Sequence, residues 1–383
     1  MRDVERLRDI PGFNIDKVAA AAGDDPDVLR MENLDTDVDV PAGVKEATKE
    51  AVDRVDANSW LPFDGKPEMK EAVAGYIERR SGARYDPMRQ VVITSGEGEA
   101  WLNALLVITD PGDEVILTDP AYAGMVNRVR LAGAVPKLVS LVPGREGWRL
   151  DLDALAAAAG PKTRAVFVMN PSLPSGCVLN EDEWEAIAAL CRDRDLWLIY
   201  AHLWEGIVFD DLPILHPAAG PDIRDRLIIA GSTVCEHRTI GWRVGWTVAP
   251  ETLHDDLSKT QIYNGLVPSG ILQAGVRVAL GESDQDLSRA VATFQERRDE
   301  TLRQLEGFPV ISPSGGWMVL MDTASMGIDP ADASRRMLEE KVAATQMRGW
   351  GGPVAERYLR FVYSREPIER LRLLGDRARA ALR

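Results

Sequence analysis

Short runs of β-branched and other apolar residues recur at Val91–Thr94, Glu114–Thr118, Ala165–Met169, Trp197–Tyr200, Leu227–Ala230 and Val244–Val248. Segments of helical period separate most of them: Pro67–Arg80, Glu99–Ile108, Leu152–Ala159 and Glu181–Arg194. This alternation constrains the fold more than any other feature. A strand that is apolar on both sides must be covered on both faces, so the pattern predicts an α/β architecture with a mostly parallel sheet between helices. Sheets of this kind bind ligands at the carboxyl ends of their strands, so the loops after each run are the places to look for chemistry.

Beyond Pro250 the pattern changes. A charged helical stretch, Ser283–Glu306, precedes a turn at Pro313–Gly316, a strand at Trp317–Met321, a helix at Pro330–Lys341, a strand at Tyr358–Tyr363 and a basic terminal helix. That order reads as a smaller α+β domain. The expected division is an N-terminal segment (1–40) packing with the small domain, a large domain (41–270) and a small C-terminal domain (271–383). A chain of 383 residues is long enough to build both.

The formal charge of −15 argues against nucleic acid or an anionic membrane as partner, because both call for clustered Lys and Arg. Cys177, Cys191 and Cys235 are too few and too scattered for a disulfide framework. The first residues contain no apolar core of a signal peptide, and no stretch is long enough to span a bilayer. The expectation is a cytoplasmic protein with a small-molecule ligand.

The strand-end loops, taken in order, resemble those of the class I and II aminotransferases, pyridoxal-phosphate enzymes of fold type I. Asn58–Gly65 (NSWLPFDG) with Pro67–Lys70 is similar to that family's Tyr-Leu-Pro segment. Val92–Ala100 (VITSGEGEA), Pro111–Val115 (PGDEV) and Asp119–Tyr122 (DPAY) look like its phosphate turn and ring-stacking loop. Asn170–Gly176 (NPSLPSG) is similar to its Asn-Pro-x-Asn-Pro-Thr-Gly loop. Gly231–Ser232 followed by Gly241–Gly245 (GWRVG) is similar to its lysine loop, and Ser314–Trp317 and Tyr358–Phe361 match its small domain. Each motif alone is weak; their order and spacing together carry the resemblance. It implies a large domain with a mostly parallel seven-stranded sheet sandwiched by helices, a small α+β domain and a homodimer.

The resemblance also implies which residues would meet pyridoxal phosphate. Gly96, Glu97 and Gly98 form the turn at a helix N-terminus where the phosphate would sit, with Ser232 and Arg243 beside it. Tyr122 would be the ring wall, Asn170 a ring contact, and Trp60 stands where the family has a phosphate-binding Tyr from the partner subunit. Four chemical contacts are replaced. Cys235 stands at the lysine position, Ala201 at the aspartate that protonates the pyridine nitrogen, and Leu173 and Trp204 at the two partners of the ring hydroxyl. Without these, the ring is a poor electron sink and the amine that forms the Schiff base is missing.

Other reactive side chains populate the same loops. His202 follows a buried run, and Cys235 and His237 lie in the former lysine loop, so the three are candidates for convergence as catalytic residues. The alternative for Cys235 is a small buried hydrophobe. Cys plus two His could bind zinc, but no tight ligand spacing supports a metal. Arg360 matches the family's substrate-carboxylate arginine, and Trp204 would line the same pocket, which implies an amino-acid-like substrate. Three functions therefore compete. The first is a diverged enzyme using acid/base or thiol chemistry without covalent pyridoxal phosphate. The second is an enzyme with non-covalent pyridoxal or pyridoxamine phosphate, and the third a non-catalytic binding protein.

Overall fold

The computed structural model describes residues 7–12, 14–144, 147–281 and 284–383. The apolar runs assemble into one sheet of eight strands: β1 (Val91–Thr94), β2 (Glu114–Asp119), β3 (Val135–Gly144), β4 (Gly147–Leu150), β5 (Thr163–Met169), β6 (Trp197–His202), β7 (Leu227–Ser232) and β8 (Gly245–Val248). Their spatial order is β1-β8-β7-β6-β5-β2-β3-β4. The centre is parallel, with β7, β6, β5, β2 and β3 aligned. The outer pairs β7–β8, β8–β1 and β3–β4 are antiparallel.

The sheet has eight strands where seven were expected, because β3 is ten residues long and pairs with β4 as an edge hairpin. Neither segment stood out as a buried run: β3 begins at the exposed Val135, followed by Pro136 and Lys137, as befits residues near a sheet edge. Two strands also run further than their apolar cores suggest. β6 continues to His202 and β7 to Ser232, so these polar residues lie inside the ladder and not in the loops after it.

Helices α1 (Pro67–Ser81), α2 (Glu97–Ile108), α3 (Ala123–Leu131) and α4 (Glu181–Asp193) flank the sheet. α1 starts with Pro at its first position and ends at Gly82, φ +71°, as backbone sterics favour. α4 opens with a reciprocal capping box between Asn180 and Glu183. The second, antiparallel sheet holds β9 (Val310–Ile311), β10 (Met318–Asp322), β11 (Thr345–Gln346) and β12 (Tyr358–Val362) in the order β9-β10-β12-β11. The charged helix α5 (Asp284–Gln304) packs near it, and Leu29–Arg30 pairs in parallel with Val342–Ala343. Among the described residues no helix is long and apolar enough to cross a membrane.

Candidate functional site

Side chains alternate across a strand, so register decides what faces the site. Phe167 of β5 is level with Ile199 of β6, and Ala201 is level with Met169 and Ala230. These residues share one face. Trp101 of α2 packs edge-on against Phe167 and against Tyr122, with ring centroids 5.8 and 5.9 Å apart. Tyr122 thus stands on the Ala201 face, just beyond the end of β2. Burial raises its phenol pKa, so at neutral pH it is a proton donor.

Arg360 of β12 reaches the same place from the small sheet. It is fully buried, and its guanidinium carbon lies 4.5 Å from the centre of the Trp350 indole. Nη2 donates to the Glu32 carbonyl, while Nε and Nη1 are buried without a hydrogen-bond partner. Burial pulls its pKa down to about 10, with Tyr122 and Glu32 opposing the shift. A buried cation with unused donors needs an anion, and the planar fork suits a carboxylate. Trp350 also meets Tyr122 edge-on at 5.8 Å, so Arg360, Trp350 and Tyr122 form a continuous wall.

The turn at Gly96–Gly98 is built as expected but carries the opposite charge. Gly96, φ +90°, caps α2, and the Arg243 guanidinium lies directly over it: a Cβ there would be 2.6 Å from Nη2. Glu97 Oε1 lies 3.3 Å from both Nη1 and Nη2 of Arg243. The Ser95 N–H is taken by Glu99 at 2.5 Å. Two carboxylates therefore occupy the first turn of the helix, where an incoming phosphate would need bare N–H groups and a free cation. Arg128 is a cation not picked out from sequence. Its Nε donates to the Gly98 carbonyl at 2.9 Å and its Nη1 to Gly124 at 2.8 Å, and it sits over Trp101.

The remaining predicted contacts are engaged in structure. Asn170 Oδ1 accepts from the Leu179 N–H at 2.8 Å, and Ser232 Oγ from Val234 at 3.4 Å. Leu173 is buried, and so is Trp204, whose Nε1 donates to the Pro171 carbonyl at 2.7 Å and whose ring packs on Trp317. Trp60 is 71% exposed and touches Phe63 edge-on.

His202 and His237 both lie beside Tyr76, and both act on the Glu236 carboxyl. The pleat puts His202 on the face opposite Ala201, where it stacks between Tyr76 and Tyr200 at 5.3 and 6.0 Å and meets His216 at 5.6 Å. His237 is buried on that side as well, 6.3 Å from Tyr76. Cys235 is fully buried; burial, then Glu97 and Glu236, push its thiol well above the ordinary range, so a thiolate is disfavoured. Burial likewise lowers His216 and His237 to about 4, which leaves both neutral.

This reverse face holds a buried polar network. Glu236 accepts from Tyr76, from Arg80 at 3.2 Å and from the Gly206 N–H at 2.5 Å. Tyr200 donates to Glu205 at 2.8 Å, and Glu205 Oε2 lies 3.3 Å from His202 Nε2. Burial opposes ionisation of Glu205, but His216, His202 and Tyr200 outweigh it and hold the carboxyl down to about 2. His202, Glu205 and His216 place potential ligand atoms within 4.8 Å of one another. The Ala218 N–H on His216 Nδ1, however, fixes the ring proton at Nε2, which then offers a hydrogen and no lone pair.

Comparison with known proteins gives this geometry a context. Residues 27–372 match the family model described as aminotransferase class I and II. A probable N-acetyl-LL-diaminopimelate aminotransferase of Bacillus subtilis is 28% identical over 98% of this chain and 96% of its own length. The structure of N-succinyldiaminopimelate aminotransferase from Mycobacterium tuberculosis superposes with a TM-score of 0.92 at 28% identity, covering 98% of this chain and 100% of that one. Aspartate aminotransferase from Thermus thermophilus with maleate gives 0.90 at 28% identity, covering 99% and 100%.

Proposed function

Since the chain belongs to the class I and II aminotransferase family, we propose that it is a diverged member that holds an amino-acid-like carboxylate on Arg360 and works without a covalently bound cofactor. The observation that carries this reading is the buried Arg360 guanidinium, with two unpartnered nitrogens, walled by Trp350 and Tyr122. A buried charge of this kind is costly unless a ligand completes it.

The residues present do not fit pyridoxal phosphate as a covalently held group. A thiol held protonated stands at the lysine position, Ala201 offers no carboxylate, and Leu173 and Trp204 offer nothing free to a ring hydroxyl. Glu97 already neutralises Arg243, the cation the phosphate would need. What faces the ligand is a neutral phenol, Tyr122, and guanidinium groups. That set supports proton donation and charge stabilisation, as isomerisation or elimination would use, over nucleophilic attack.

The buried thiol and the displaced His202 favour one second reading, a binding protein without turnover. We further propose that the chain pairs as a homodimer through the face bearing Trp60, Val55 and Tyr263, which are 71, 81 and 89% exposed. The three-part division of the chain is kept as a proposal, supported at its N-terminal end by the pairing of Leu29–Arg30 with Val342–Ala343.

The deciding experiment is spectroscopic. Protein incubated with pyridoxal phosphate and dialysed is expected to carry no visible absorption band, and the same is expected of Cys235→Lys, which still has Ala201 and the Glu97–Arg243 pair. A band that survives dialysis in the unaltered protein would restore cofactor chemistry. Turnover of any amino-acid-like carboxylate that depends on Tyr122 separates the enzyme from the binding protein.

A further inference from the structure

Asp119 closes strand β2 and is 3% exposed. Among the described residues its carboxylate makes no ion pair. Oδ2 instead accepts the backbone N–H of Val354 at 3.0 Å, and Oδ1 that of Ala355 at 3.0 Å. Both donors lie in the segment between β11 and β12, so a residue of the large sheet holds a loop of the small one. Two residues further along, the Ala121 N–H donates to the Trp350 carbonyl at 2.7 Å.

The same loop is shaped to receive the carboxylate. A Cβ on Gly351 would lie 2.4 Å from Asp119 Oδ1, and one on Gly352 2.9 Å from Oδ2. Gly351 also has φ +139°, a conformation closed to other residues. The backbone therefore comes into direct contact with Asp119, and Trp350, the residue before these glycines, is delivered over Arg360.

We propose that Asp119 is a positioning residue: by latching the 350–355 loop to the end of β2, it closes Trp350 over the Arg360 guanidinium and so makes the anion site. This rests on the reading of Arg360 as the carboxylate site. Arg360 sits on β12, Tyr122 follows β2, and Trp350 touches both. The latch fixes the one element that joins the two sheets at that point. Release of the loop exposes Arg360 to solvent while both sheets stay intact.

Access to Arg360 can be measured without knowing the natural ligand. Phenylglyoxal, an arginine-selective dicarbonyl, is applied to the full-length protein, and modification of the Arg360 and Arg298 peptides is followed by mass spectrometry. Arg298 is buried at 4% exposure and paired with Asp210 at 2.7 Å, away from the latch. Asp119→Asn turns one of the two acceptor oxygens into a donor, so one of the two N–H groups loses its partner, and Gly351→Ala pushes the loop off the carboxylate by another route. Each is expected to speed labelling of Arg360 at least tenfold while Arg298 stays as in the parent.

An unchanged Arg360 rate in both variants overturns the latch. Equal acceleration at both arginines overturns it too, because the effect is then general loosening. Maleate separates the two levels of argument. If the variants label fast at Arg360 and maleate gives no protection, the latch stands and the carboxylate reading falls. If maleate protects Arg360 in parent and variants alike at equal labelling rates, the carboxylate reading stands and the latch falls.

Discussion

On the proposed reading, Arg360 is the residue that recognises the ligand's carboxylate. Its guanidinium is buried against Trp350 with two nitrogens open. Replacing it with Lys keeps a charge but loses the planar fork and the stacking. Arg360→Lys is therefore expected to weaken maleate binding about a hundredfold, or about 3 kcal/mol, as read by calorimetry. Equal affinity for parent and variant would place the carboxylate elsewhere. Cys235 illustrates the opposite case. The residue type suggests a nucleophile, and burial, with the carboxylates of Glu97 and Glu236 nearby, holds it as a protonated thiol.

At the scale of elements, strand β6 fixes the face that His202 takes. The ladder runs through the histidine, so the pleat that turns Ala201 toward Tyr122 turns His202 away. His202→Gln should leave maleate affinity within about twofold. It should still lower stability in urea by about 1–3 kcal/mol, since it breaks a buried polar network. A loss of binding that matches Arg360→Lys would contradict the assigned face. Helix α2 makes a related point. It starts at Glu97, two residues before the expected Glu99, and this brings Glu97 into the first turn, where it meets Arg243. The strand-to-helix turn and the charge of Glu97 were legible in the sequence; the contact of Glu97 with Arg243 was not.

For the whole molecule, the reverse-face network links stability to acid. His216 and His237 are lowered to about 4 by burial, against about 6.5 in an unfolded chain. The unfolded state binds more protons between these values. Stability is thus complete above pH 6.5 and is lost as pH falls through about 4, by up to about 3 kcal/mol for each histidine. Glu205 and Glu236, both held below the ordinary carboxylate range, act in the same direction at lower pH. The urea midpoint should fall as pH drops through this window, and His237→Gln should flatten that dependence. A profile flat from pH 7 to 4 would mean that the network takes up protons in the folded state. The proposed association is tested on the same scale: if the parent sediments as a dimer, the variant with Val55 and Trp60 both changed to Glu should sediment as a monomer, and a monomeric parent would overturn the pairing.

What the sequence determined is the part written in short-range period and residue type. Alternating apolar runs dictate a covered, largely parallel sheet, because strands apolar on both sides have no other stable packing. The motifs Asp119–Tyr122, Asn170–Gly176 and Gly241–Gly245 carry the resemblance to the family, and that resemblance implies that Cys235, Ala201, Leu173 and Trp204 depart from its chemistry. Which face a polar residue takes at a strand end was decided only in three dimensions. Because the apolar run ends at Tyr200, His202 counts as a loop residue by sequence, and the side-chain period of two cannot be applied to it. The contacts that build the site also join distant parts of the chain: Glu97 with Arg243, Asp119 with Val354 and Ala355, and Arg360 with Glu32. Such pairs depend on how segments far apart in the chain pack together, and no local pattern encodes that distance.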